Sequence, residues 1–382
     1  MTRRRGSVIQ RRNGSWSVVV DLGSDPLTGK RRREWHSGFE RKAEAEKALT
    51  EIHRAIDTGT HVAPTKGTLA EYLTERWLPA IRLSVRPNTY NLYETTVRAY
   101  VNPHVGGVPL QDLGPDRLNG LYGLLLDRGS KAGRPLSAKT VRNVHGTLSR
   151  ALGDAVRWDL LLRNPADRAD PPRVAKPPID TWTAEEQRRF LDHVAGHRFE
   201  ALYVLACSTG MRRSELLGLG WRSVDLDDSR LVVERVLVRG KDDLVLAEPK
   251  TERSRRSVAL DARTVQALRD HRRRQLEERM AAGSAWQDLG LVFAREDGSL
   301  FRPATFTRTL QRVAREASVP VIGPHGLRHT WATLALRAGV NPRVVSDRLG
   351  HSGVSITLDR YTHPSTDLDR DAAERVARLI SG

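Results

Sequence analysis

The stretch "RLGHSGVSITLDRYTH" (348–363) places His351, Arg360 and Tyr361 in one polar segment near the C-terminus. Tyr361 is either a ring packed on a helical surface or a nucleophile, and a nucleophilic tyrosine needs partners. Three other stretches offer them. In "STGMRRSELLGLGW" (208–221), Arg212 and Glu215 fall at i and i+3 in a helix expected to open after Gly210. An arginine in the first turn of a helix makes a ready phosphate site, although a surface ion pair has the same spacing. In "PHGLRHTWATLALRAGV" (324–340), His325 and Arg328 repeat the i,i+3 spacing, so both can point at one ligand. Trp331, Leu334 and Leu336 are expected to anchor that helix elsewhere. His325 and His329 are also spaced i,i+4, but the H-E-x-x-H glutamate and a third ligand are missing, so no metal is expected. In "EPKTERSRRSVALD" (248–261), Lys250 falls in a turn between two expected strands, where a mobile tip could reach a scissile phosphate, although an isolated lysine is ordinarily solvated surface.

These residues need a scaffold, and the chain is punctuated to build one. "HVAPTKG" (61–67) and "DPPRVAKPPID" (170–180) combine Pro, Gly and charge, which reads as two linkers. The expected domains are therefore 1–62, 67–171 and 178–382. The first opens with "GSVIQRR", "SWSVVVDLG" and "KRRREWHSG", three β-like runs with an Asn13-Gly14 hairpin turn between the first two. Trp16, Val18 and Val20 alternate onto one face, and "RKAEAEKALTEIHRAI" follows as a helix with Ala45, Leu49, Ile52 and Ile56 on its apolar stripe. Arg11, Arg12, Lys30, Arg31, Arg32 and Arg33 then lie on strands or turns of a small sheet, either solvated or laid into a DNA groove. The second domain reads as helical throughout, with Ser137 as an N-cap, Gly129 as a stop, and Lys139, Arg142 and Arg150 on a polar face. The third is mixed, with a capping box at Thr183 and Glu186 and strands in "DDSRLVVERVLVRG" and "RSRRSVALD". The fold class is thus α+β and multidomain: a three-stranded sheet with one helix, a helical bundle, and a mostly α domain with a small β-sheet.

Charge is the strongest global signal. The formal net charge is +17 over 382 residues, and the excess is spread through all three segments and is densest at the N-terminus. A polyanion touched by every domain explains that spread, with nucleic acid the obvious candidate; an Arg-rich composition without a polyanion is the alternative. No stretch approaches the length of an apolar membrane span, and the basic start lacks the apolar run of a signal peptide. The single cysteine, Cys207, sits in the apolar run "ALYVLACS" and is expected to be a buried, inert thiol in a cytoplasmic protein.

Taken together, "TGMRRSELLGLGW", "PKTERSRRSVAL", "HGLRHTWATLAL" and "LGHSGVSITLDRYTH", in that order and spacing, resemble the tyrosine recombinases, the phage-integrase family. The resemblance covers nearly the whole chain. It implies an arm-type DNA-binding domain over 1–62, a core-type DNA-binding domain over 67–171 and a catalytic domain over 178–382. The catalytic residues it implies are Arg212, Lys250, His325, Arg328, His351 and Tyr361, with Glu215 in support. Two positions depart from the family pattern: Gly326 stands where Asp is frequent, and Ser214 where many members have Gly.

The implied function is site-specific recombination that integrates or excises a phage or mobile element. A catalytically silent DNA-binding protein of the same fold is the alternative, and a relative relaxing supercoils by type IB topoisomerase-like chemistry is another. Two permanently charged arginines suit the extra negative charge of a pentacoordinate phosphorane without a metal or other cofactor. Tyrosine ordinarily ionises near pH ~10, so the arginines and the imidazoles of His325 and His351 would favour the phenolate or accept its proton during attack. The expected product is a 3′-phosphotyrosyl link, with Lys250 as general acid to the departing 5′-oxygen. Glu215 is expected to orient Arg212 or its helix. The implied partners are double-stranded DNA at core and arm sites, three further copies in a tetrameric synapse, a host bending factor and an excision factor, with no membrane.

Overall fold

Alternating valines build the first layer of the computed structural model. Strands β1 (Gly6–Gln10), β2 (Trp16–Ser24) and β3 (Arg31–Phe39) form an antiparallel meander. The β1–β2 turn uses Asn13-Gly14 as the sequence leads one to expect. Gly14 has φ +86°, and Asn13 Oδ1 accepts from the Ser15 N–H at 3.2 Å. Trp16, Val18, Val20 and Leu22 face helix α1 (Lys42–Asp57), whose Ala45, Leu49, Ile52 and Ile56 close a small core. Arginine cannot accept a capping bond, so at the Arg41 N-cap it is Glu44 that reaches back to the Arg41 N–H at 3.3 Å. The structure describes residues 6–24, 29, 31–59, 61–130, 132–175, 180–240, 243–249, 254–351, 353–361 and 377. Lys30 lies outside these residues, as does the side chain of Arg32.

The stretch 61–67 is anchored at several points. His61 meets the buried Glu34 carboxylate at 2.7 Å, and Gln111 donates to Ala63 O at 2.8 Å and accepts from Thr65 N at 3.1 Å.

Four helices make the next core. Helix α2 runs through Leu69–Glu71, Tyr72–Trp77 and Leu78–Ile81, and α3 through Pro87–Thr96, Val97–Val101 and Asn102–Val105. The middle stretch of each is wound in wide π turns and sits just before a proline, Pro79 or Pro103. A proline has no N–H to give the i−4 carbonyl, and the wide turn takes up the broken ladder. Helices α4 (Pro115–Arg128) and α5 (Ala138–Arg157) complete the bundle, with Gly129 and Ser137 acting as cap residues at the expected positions. On α5, Val141, Val144, Leu148, Ala151, Leu152 and Ala155 form one buried stripe. Asp154 interrupts it, held by Trp77 Nε1 at 2.9 Å and by Arg150 and Arg157. Burial pushes its carboxyl up, and these donors more than offset that, leaving it below the usual carboxylate range.

The chain divides into two units, 1–175 and 176–382. The second is built around α7 (Glu200–Thr209), apolar on every side and therefore central. Its Cys207 is fully buried, and burial pushes the thiol up to about 12, as expected of an inert residue. Around it stand α6 (Ala184–His193), with the expected Thr183–Glu186 capping box, and the short α8 (Arg213–Gly218). Strands β4 (Val224–Asp225), β5 (Arg230–Val232) and β8 (Ser257–Ala259) form one antiparallel sheet, and β6 (Val236–Arg239) and β7 (Leu244–Ala247) form another. The long α9 (Ala262–Ala282), α10 (Pro303–Glu316), α11 (Pro324–Arg337), α12 (Pro342–Leu349) and α13 (Val354–Tyr361) complete the unit.

Asp154→Ala strands the Trp77 indole N–H without its acceptor. The expected cost is about 1–3 kcal/mol. Amide exchange of the full chain should show faster exchange across residues 69–81 and 138–157, and unchanged protection there would contradict this account of the bundle.

Candidate active site

Three turns bring Arg212 and Arg328 to the end of the helix that precedes His351. The first ends α7 at Gly210, which adopts φ +65°. A Cβ there would lie 2.7 Å from Leu349 Cδ2 and 3.0 Å from the Trp331 ring, so only glycine fits both the backbone and the space. The chain then extends through Arg212, which the sequence placed inside the next helix. The structure corrects this: Arg212 is the N-cap of α8, with φ −70° and ψ 150°. Glu215 supplies the capping that an arginine cannot, accepting from the Arg212 N–H at 2.9 Å and from Arg212 Nη1 at 2.8 Å.

The second turn leads into α11. His325 is exposed in the first turn of this helix, and its ring meets that of His329 edge-on at 4.4 Å between centroids. Arg328, three residues on, is only 1 % exposed. A buried guanidinium must have its N–H groups satisfied, and two of its bonds run to Gly210 O at 2.8 Å and Leu349 O at 2.6 Å. The anchoring face of α11 differs from expectation in part. Leu327, Arg328, His329, Thr330 and Ala332 are buried, because the helix turns polar side chains inward as well, while Trp331 and Leu336 pack half-buried against Ala332, Val345 and Leu349 as expected, and Leu334 is half-buried too. Gly326 fits tightly as well, since a Cβ would sit 2.8 Å from the Ile322 side chain.

The third turn ends α12 at Gly350, again left-handed at φ +65°. The last carbonyls of a helix have no partner within it. Here three consecutive ones each accept from a different arginine: Arg348 O from Arg256 Nε at 2.5 Å, Leu349 O from Arg328, and Gly350 O from Arg212 Nη2 at 3.0 Å. His351 follows at once, with Nδ1 2.9 Å from Thr357 Oγ1 on α13. Tyr361 is the last residue of α13; its side chain lies outside the described residues. Lys250 also lies outside them, in the stretch between β7 and β8.

Arg256 is the participant that sequence reasoning missed. It approaches both Glu215 oxygens, at 3.2 and 2.9 Å, and its side chain is 7 % exposed against 2 % for Glu215. Burial pushes the Glu215 carboxyl up, but the bonds and charges of Arg256 and Arg212 outweigh that and hold it below the usual range. The signal lay in "SRRS", where an arginine directly precedes a strand.

A second polar surface lies on the sheet of the first unit, on the face away from α1. Arg11 donates from Nε to Ser17 Oγ and from Nη2 to Ser37 Oγ, both at 2.8 Å, and lies 5.9 Å from the Trp35 ring centroid. Trp35 is 53 % exposed, and the sequence reading passed over it although it alternates with Arg31 and Arg33 along β3. Arg31 is paired with Asp21 at 2.8 Å, and Arg12 and Arg33 are exposed. On α5, Lys139 and Arg142 are exposed, the latter 3.4 Å from Pro172 O.

Comparison with known proteins agrees with this architecture. Residues 181–367 match the phage integrase family, 8–56 an arm DNA-binding domain, and 68–122 the phage integrase N-terminal SAM-like domain. A tyrosine recombinase XerC-like protein of Caldanaerobacter subterraneus subsp. tengcongensis is 30 % identical, covering 96 % of each chain. Among solved structures, the Tn1549 transposon integrase in complex with a circular intermediate DNA superposes with a TM-score of 0.68 at 22 % identity, over 81 % of this chain and 99 % of that one. A lambda integrase tetramer bound to a Holliday junction gives 0.56 at 16 % identity, over 94 % and 96 %. The chain belongs to the phage integrase family, the tyrosine recombinases, and is a site-specific recombinase of the kind carried by phages and mobile elements.

The depressed ionisation of Glu215 fixes the sign of one pH effect. Its carboxylate stabilises the fold fully above the ordinary carboxylate value of about 4.3 and progressively less as pH falls through and below it. Glu215→Gln leaves Arg256 buried opposite a neutral group, at an expected cost of about 3–5 kcal/mol near pH 7. Urea unfolding at neutral and acidic pH should find the variant less stable at neutral pH and less sensitive to acid than the wild type. An equal acid sensitivity would refute the assignment.

Proposed function

We propose that this recombinase cleaves double-stranded DNA through Tyr361. The phenolic oxygen attacks the scissile phosphorus, the bond to the 5′-oxygen breaks, and Lys250 protonates that oxygen as it leaves. A 3′-phosphotyrosyl link and a free 5′-hydroxyl result. The 5′-hydroxyl of another strand reverses the step, so exchange needs no external energy source. Arg212 and Arg328 hold the non-bridging oxygens and stabilise the charge that develops on them. The phenolic proton passes to one of the imidazoles, His325 or His351, which also hydrogen-bond around the phosphate, and Glu215 fixes Arg212. The observation that carries this reading is the convergence of Arg212 and Arg328 on neighbouring carbonyls, Gly350 O and Leu349 O, one and two residues before His351 and on the approach to the helix that ends in Tyr361.

The three segments divide the work on DNA. Residues 178–382 carry the chemistry, and 67–171 grip the core site with Lys139 and Arg142 on the polar face of α5. Residues 1–62 read arm sites through the outer face of the β1–β2–β3 sheet, with Arg11, Arg12, Lys30, Arg31, Arg32 and Arg33 supplying the charge. Lambda integrase is named as a tetramer on a Holliday junction, and we extend that assembly to this chain, with a host bending factor and an excision factor as accessory partners. The setting is the cytoplasm of a bacterial host; among the described residues no helix is long and apolar enough to cross a membrane.

Tyr361→Phe should abolish covalent protein–DNA adducts on a nicked suicide substrate while DNA affinity stays within about twofold, since only the nucleophilic oxygen is removed. Adducts formed by that variant would exclude Tyr361 as the nucleophile. Arg11→Ala combined with Trp35→Ala should weaken arm-site binding about tenfold or more, from one charge-assisted and one stacking contact, and leave core-site cleavage intact. Unaltered arm-site affinity would remove this face of the sheet from the interface.

A further inference from the structure

We infer that Arg256 is a positioning residue for the recombination chemistry, setting Arg212 and the end of α12 in register with one another. The inference rests on the catalytic roles proposed for Arg212 and Arg328. A single guanidinium touches both supports of Arg212. On one side it approaches both oxygens of Glu215, at 3.2 and 2.9 Å, so the carboxylate is held with Oε1 toward Arg212 Nη1 and Oε2 toward the Arg212 N–H. On the other side its Nε donates to Arg348 O at 2.5 Å, next along the chain to the Leu349 and Gly350 carbonyls that take Arg328 and Arg212.

Stability alone is a poor account of this arrangement. Removing two charges from water offsets much of their attraction, and a buried ion pair is often no better than packed apolar side chains. What the pair supplies is geometry: a planar fork addresses a carboxylate and a carbonyl at fixed angles, and a lysine cannot reproduce that. Every nitrogen of the Arg256 guanidinium already has a protein acceptor: Nε the Arg348 carbonyl, Nη1 Glu215 Oε1 and the Ser254 carbonyl, and Nη2 Glu215 Oε2. Arg256 also follows Lys250 by six residues and immediately precedes β8. It therefore ties the strand that follows the proposed general acid in sequence to the helix end on which the arginines converge.

The test is single-turnover cleavage of a nicked suicide substrate at increasing DNA concentration. Arg256→Lys should lower the maximal rate about 10–100-fold, the scale expected for a misplacement near 1 Å, with half-saturating DNA and melting temperature close to wild type. Because Arg256 acts through Arg212, adding Arg256→Lys to Arg212→Lys should slow cleavage by no more than about threefold further. Glu215→Met combined with Arg256→Met removes both buried charges at once and keeps the fold where a single change does not. It should bind DNA normally and cleave slowly. Cleavage by Arg256→Lys or by the paired variant within about twofold of wild type, multiplying losses in the Arg212 combination, or a defect confined to half-saturating DNA would each overturn the inference. Wild-type protein that forms no adduct overturns the proposed function, and this inference with it.

Discussion

The end of one eight-residue helix, α12, organises the catalytic unit. Its last turn leaves carbonyls that the helix cannot satisfy, and the aligned peptide dipoles give that end partial negative character. Arginines from the turn after α7, from the approach to β8 and from within α11 fill the places. Each guanidinium gains an acceptor, each carbonyl a charged donor, and three distant parts of the chain are fixed against one point. Gly210 leaves the room that Leu349 and Trp331 occupy, and Gly350 takes the left-handed backbone that ends the helix.

Cations crowded this closely repel one another, and Glu215 is the counterweight. Among the described residues it is the one carboxylate that meets both Arg212 and Arg256, and those two guanidinium groups keep it ionised despite its burial. The result is a cluster with surplus positive charge, low hydration on its inner side and little freedom to rearrange. Under the proposed mechanism such a cluster suits a phosphodiester gaining negative charge, because donors already in place need not reorganise as the charge appears.

Much of the scaffold was legible because its signals are local. The Asn13-Gly14 turn, the valine alternation of β2, the apolar stripe of α1 and the caps at Ser137 and Thr183 each depend on residues a few positions apart. Arg212 was found but placed one step too far into its helix, since an arginine gives no capping signal and the boundary was set by a glutamate three residues on. Arg256 was not found. Its partners lie 41 and 92 residues away, and one of them is a backbone oxygen, which has no letter in the sequence. The buried face of α11 was legible only in part for a related reason: Trp331 and Leu336 pack as their letters suggest, whereas the burial of Arg328 and His329 depends on carbonyls and a ring that lie elsewhere in the chain or one turn away.

Carbonyls as partners have an evolutionary corollary. What the three arginines recognise at residues 348–350 is where the helix stops, so side-chain drift along α12 is tolerated far better than a change in its length. One residue inserted before Gly350 would turn the exit of the helix by about 100° and offer each guanidinium a carbonyl aimed elsewhere. Sequences can thus vary on the exposed side of that helix and keep this centre, so long as the buried Val345, Ser346 and Leu349 and the glycine that ends the helix hold its length and seat.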